Sequence, residues 1–117
     1  MSIEKMGTYY RVDGNFVSQY DKLWAHTMMR IENAEVSARE KAKKHMANPK
    51  WRKKNGETNY DQEFLKLMVQ RLQKITNMDK VYYAVAVLNE KGYSDVVDVY
   101  EDRILMDKML EMHETAR

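Results

Sequence analysis

The chain contains no cysteine. A disulfide framework, a thiol nucleophile, an iron–sulfur cluster and a cysteine-ligated zinc are therefore excluded. Proline occurs once, at Pro49, and glycine four times, at Gly7, Gly14, Gly56 and Gly92. Those glycines match neither the dinucleotide-binding fingerprint nor the Walker loop, so no phosphate cradle is expected. No run approaches the ~18 apolar residues of a membrane span, and the opening Met1-Ser2-Ile3-Glu4-Lys5-Met6 lacks the apolar stretch of a signal peptide. We expect a chain that is neither exported nor membrane-embedded, with the cytoplasm as its compartment. Catalytic signatures are missing too. There is no Gly-x-Ser-x-Gly elbow, and His26, His45 and His113 stand far apart, without the spacing of a metal-binding motif. We expect three surface histidines, no metal, no cofactor and no enzymatic activity.

What is present fits one folded domain over residues 1–117. Apolar residues make up 44% of the chain and charged residues 32%, unlike the composition of disordered chains. Net charge is only +2, but it is unevenly spread. From Ser37 to Glu57 eight Lys and Arg face two Glu, and seven of those cations lie between Lys41 and Lys54. The far end leans the other way, with seven acidic residues between Asp95 and Glu114 against Arg103 and Lys108. Ten methionines fit an adaptable core or an adaptable contact surface.

Thr8-Tyr9-Tyr10-Arg11-Val12 favours a strand, and Asp13-Gly14 before Asn15-Phe16-Val17 predicts a hairpin, since both turn residues tolerate positive φ. Ser18 with Asp21 resembles a capping pair that opens a helix. Beyond it, Tyr20, Leu23, Trp24, Thr27, Met28, Ile31, Ala34, Ala38 and Ala42 form one helical stripe, predicting a helix of roughly 40 Å. The segment at about 47–58, with Pro49 and Gly56, reads as a basic loop. Asn59 and Gln62 cap the next helix, whose apolar residues Tyr60, Phe64, Leu65, Leu67, Met68, Val69, Leu72 and Ile75 cover most of its surface.

Val81 to Leu88 is apolar at every position and predicts a strand covered on both faces. A turn at Asn89-Glu90-Lys91-Gly92, a strand from Tyr93 to Tyr100 and a helix from about Glu101 to His113 follow, the last with Leu105, Met106, Met109, Leu110 and Met112 on its apolar face. The predicted fold class is α+β, a small antiparallel sheet of three to four strands against three helices, in the order β(β)ααββα. That order is similar to the type I KH domain, whose loop between its first two helices clamps a nucleic-acid backbone. Here Lys53-Lys54-Asn55-Gly56 stands where that family has Gly-x-x-Gly, and the first helix is longer. The likeness is one of order alone, and no membership is assigned.

The basic segment is the strongest candidate site. Lys43, Lys44, Lys50, Arg52, Lys53 and Lys54 would attract phosphates, and the indole of Trp51 is suited to stacking on a base or sugar. Read blandly, the same residues are a solvated helix end with Trp51 folded onto the core. A second candidate is the apolar patch Ala25, Met29 and Val36 on the long helix, opposite its main stripe, which fits either self-association or a helix sandwiched between neighbours.

Three functions follow. The first is a small non-catalytic binding module whose basic loop contacts nucleic acid or another anionic partner. The alternative is a protein-binding inhibitor or regulator of the kind encoded by bacterial viruses and mobile elements, with a protein partner. The third is a self-assembling structural subunit, a homo-oligomer through the long helix; the charge asymmetry also suits a head-to-tail pairing of its acidic end with the basic loop of a second copy.

Overall fold

The computed structural model describes residues 1–115, with side chains through Glu111. Met112 and His113 therefore carry expectations that lie outside the described side chains. The fold class is α+β: three strands, β1 (Ile3–Met6), β2 (Tyr9–Val12) and β3 (Asn15–Ser18), precede five helices. These are α1 (Lys22–Ala47), α2 (Pro49–Asn55), α3 (Tyr60–Leu72), α4 (Met78–Glu90) and α5 (Ser94–Thr115).

The strands form one antiparallel sheet in the order β1-β2-β3. Val12 pairs with Asn15 across a two-residue turn in which Asp13 (φ 50°) and Gly14 (φ 78°) both take the left-handed conformation the hairpin needs. Alternation places Tyr10, Val12 and Val17 inward, fully buried, against α4. Tyr10 also stacks on Trp24 of α1, with ring centroids 6.0 Å apart. Its hydroxyl donates to the Glu90 carboxylate at the end of α4.

Helix α1 opens at Asp21 rather than Ser18. One Asp21 oxygen accepts from the Leu23 backbone N–H at 2.9 Å, and the other from the Tyr83 hydroxyl at 3.0 Å. These bonds, the backbone one first, hold its carboxyl below the usual range. Ser18 ends β3 instead, and Tyr20, expected on the buried stripe, precedes the helix and is 83% exposed. The remaining stripe holds: Trp24, Thr27, Ile31, Ala34, Ala38 and Ala42 are buried, while Leu23 and Met28 pack at its margin. The alanines let α3 approach closely along the second half of α1.

Three further expectations are overturned, and one strand is added. First, the segment expected as loop at 47–58 contains α2, because Pro49 occupies the first helical turn, where its missing N–H costs nothing, and Asn48 caps it by accepting from the Lys50 and Trp51 N–H groups. Second, the strand expected over Val81–Leu88 is helix α4, capped by Asn77, which accepts from the Asp79 and Lys80 N–H groups. Residues apolar on every side suit a helix buried all round as well as a central strand. Third, the strand expected over Tyr93–Tyr100 is the first half of α5. The added strand is β1, which pairs Ile3 with Val12 and was not anticipated. The order is thus βββααααα, and the likeness to the KH order ends there.

Glu35, buried at 6% exposure, ties α1 to the α4–α5 junction. It lies 2.8 Å from Lys91 Nζ and 3.0 Å from Arg39 Nη2, and accepts from the Tyr93 hydroxyl at 2.8 Å. Two hydrogen bonds to Oε2, from Arg39 and Tyr93, and the Lys91 ammonium beside Oε1 offset a charge that burial would otherwise disfavour.

Candidate anionic-partner interface

Where α1 ends, Asn48 does two jobs. Its backbone N–H closes α1 onto the His45 carbonyl, and its side chain opens α2. The chain turns a corner with no intervening loop. Gly56 (φ 77°) then stops α2 in a conformation that a side chain would strain.

This corner gathers all seven residues singled out in the sequence. Lys43 and Lys44 lie on the last turns of α1; Lys50, Trp51, Arg52, Lys53 and Lys54 lie on α2. The six cations are exposed, and among the described residues none is in an ion pair. Lys50, Lys53 and Lys54 share a face at three- and four-residue spacing. Arg52, Lys53 and Lys54 also sit in the last turn of α2, where cations complement the helix dipole.

Trp51 is turned back onto α1. Its ring stacks on the His45 imidazole at 4.5 Å between centroids and 15° between planes, and the residue is half-buried. His45 Nδ1 in turn lies 2.9 Å from Oε1 of Glu63, a buried residue in the first turn of α3. The sequence expectation of a surface His45 is thereby corrected: it joins three helices through a carboxylate–imidazole–indole stack. One face of the indole is occupied, leaving only the other for a ligand. A separation of eighteen residues between His45 and Glu63, on different helices, gave no spacing signal in the sequence.

The second predicted patch is also exposed. Met29 is 62% and Val36 53% accessible, with Ala25 on the same outward face, so α1 is not sandwiched on that side. Among the described residues, no cluster of three His, Asp or Glu has the arrangement of a metal site, and no helix is long and apolar enough to cross a membrane.

Comparison with protein-family models, with curated proteins and with solved structures finds no match for this chain.

Proposed function

We propose that this chain is a small non-catalytic binding module of the cytoplasm whose α1–α2 corner contacts an anionic partner, nucleic acid foremost. The observation that carries the reading is the set of six exposed cations, unneutralised among the described residues, held on two abutting helices. Fixed cations of this kind bind phosphates through counterion release, without strong sequence preference. The stacked Trp51 supports one aromatic contact at most. Fluorescence anisotropy with labelled single-stranded and duplex DNA and RNA at two salt concentrations tests it. Salt-sensitive binding, lost similarly on every sequence when Lys50, Arg52, Lys53 and Lys54 become Gln, is the expected result. Absence of binding at low salt would sink the reading.

A second reading, a regulator that binds a protein, is favoured by one observation. Leu105, Met106, Met109 and Leu110 on α5 are 55–61% exposed, an apolar surface larger than a solitary helix end requires. A native partner recovered in stoichiometric amount would support it. A self-assembling subunit built through Met29 and Val36 would become monomeric in Met29→Glu/Val36→Glu, and an unchanged sedimentation mass would remove that version.

A further inference from the structure

Two adjoining depressions lie between α1 and α3, sharing Arg71 and Lys74. Their cations are Arg30 and Lys41 from α1, Arg71 from α3 and Lys74 from the turn just beyond it, and their other polar groups, Asn33, Ser37 and Gln70, are neutral. Among the described residues no carboxylate lines either one. A third depression continues past Arg30 to His26 and Lys80, again without an acidic residue among those described. On α1 the positions Arg30, Asn33, Ser37, Lys41 and Lys44 follow one another at three- and four-residue spacing, a single stripe beside the buried one. That stripe leads from the groove directly to the corner.

We infer that the α1–α3 groove is a track for a nucleic-acid phosphodiester backbone, with the α1–α2 corner as its far end. The inference rests on the binding-module reading and adds a second, larger contact to it. Like charges brought together without counterions between two packed helices concentrate positive potential, which an anionic chain relieves. Arg71 is already oriented, since its guanidinium donates to Ser37 Oγ across the groove. Ser37, having accepted, keeps its own hydroxyl proton for a phosphate oxygen, and the remaining guanidinium N–H groups suit the same acceptor. From Arg30 to Lys44 the stripe runs roughly 21 Å at ~1.5 Å per residue. That matches about six nucleotides of one strand at ~3.4 Å each.

The test is an anisotropy titration of a labelled 12-nucleotide single strand and the matching duplex over a salt series. Two variants are compared with the parent chain: Lys41→Gln/Lys74→Gln in the groove, neither of which has an ion-pair partner among the described residues, and Arg52→Gln/Lys53→Gln/Lys54→Gln at the corner. Circular dichroism confirms that each is folded. The track predicts that the groove variant binds about tenfold more weakly or worse and that its log–log salt slope falls by ~1.4 on the single strand, two phosphate contacts' worth. Arg71→Gln, a second groove variant, should weaken binding in the same direction. If both groove variants bind within twofold of the parent while the corner variant loses affinity, the track is overturned and the corner reading stands. If the parent binds neither oligonucleotide at low salt, both fall together. Equal affinity for poly-glutamate of matched charge would overturn the nucleic-acid assignment in favour of an acidic protein.

Discussion

Helices α4 and α5 carry three valines each, yet they live in opposite surroundings. Along α4, Val81 and every residue from Tyr83 to Leu88 are buried, with the sheet on one side and α1 on another. Along α5, Val96, Val97 and Tyr100 are buried against α3 and α4, Ile104 is half-buried, and Leu105, Met106, Met109 and Leu110 are uncovered, while Asp107, Lys108 and Glu111 line a cavity with Gln73 and Met78. One helix is surrounded; the other is well covered only for about its first three turns. The contrast separates residues that hold the fold from residues whose burial, if it occurs, must be supplied by something else.

The largest expected consequence is a difference in mutational cost. Leu88→Ala should destabilise the chain by about 2–5 kcal/mol, because a fully buried leucine leaves a cavity. Leu110→Ala, at a residue 61% exposed, should stay within about 0.5 kcal/mol. Urea denaturation at low protein concentration measures both. A cost at Leu110 comparable to that at Leu88 would mean that α5 is covered in solution.

Amide hydrogen exchange sharpens the same division. Protection in α4 should approach that of global unfolding, whereas amides beyond Ile104 should exchange far sooner, having few packed neighbours. A uniform protection along α5 would contradict the comparison.

A smaller effect concerns pH. The Tyr100 hydroxyl is buried without a hydrogen-bond partner among the described residues, and burial pushes its pKa up to about 12. Tyr10, on the sheet beside α4, is also raised to about 12, by burial first and then by the Glu90 carboxylate. The folded chain thus holds both phenolic protons more tightly than the unfolded chain does. Their contribution is fully present below pH 10, the ordinary value, and is lost as pH rises toward 12. Tyr100→Phe should lessen that alkaline loss and leave stability at neutral pH unchanged or slightly higher, since it removes an unsatisfied polar atom. A marked loss at neutral pH would reveal a partner for that hydroxyl.

The smallest effect lies at the acid end. The Tyr10 hydroxyl, and then Lys5, hold the Glu90 carboxyl below its ordinary value of 4.5. Stability from that bond is present above the ordinary value and lost as pH falls through the lowered one. Tyr10→Phe should make the acid limb of the stability curve shallower, read by denaturation between pH 5 and 3, values chosen around the ordinary carboxylate range.

The same two helices show where sequence reading succeeds and where it stops. Turn chemistry was local and legible: Asp13-Gly14 makes its hairpin, and Asn59 caps α3 by accepting from the Gln62 N–H at 2.9 Å. The stripe of α1 was legible because a helix covered on one side keeps its period. Periodicity vanished in α4, where burial on every side removed the polar positions that mark a helix, and valine then argued for strand. Asn77 before Met78-Asp79 was the available counter-signal, a cap preceding an acidic first turn. In the candidate site, the clustered cations of residues 43–54 were visible as a run. Arg71 and Lys74 were not, since only the packing of α3 along the alanines of α1 brings them beside Lys41. Trp51 was visible as a residue, but its stacking on His45 depends on a helix that begins at a proline.

Asn48, shared by the end of one helix and the start of the next, has a consequence for inheritance. With no slack between α1 and α2, inserting or deleting one residue there would separate the two caps that Asn48 now supplies and re-aim the α2 cations relative to those of α1. Exchanging lysine for arginine on either helix would change their directions far less. A descendant of this chain that kept the same surface could therefore vary its basic residues freely while holding the length of this junction fixed, and that invariant spacing would mark kinship when the residues themselves had drifted.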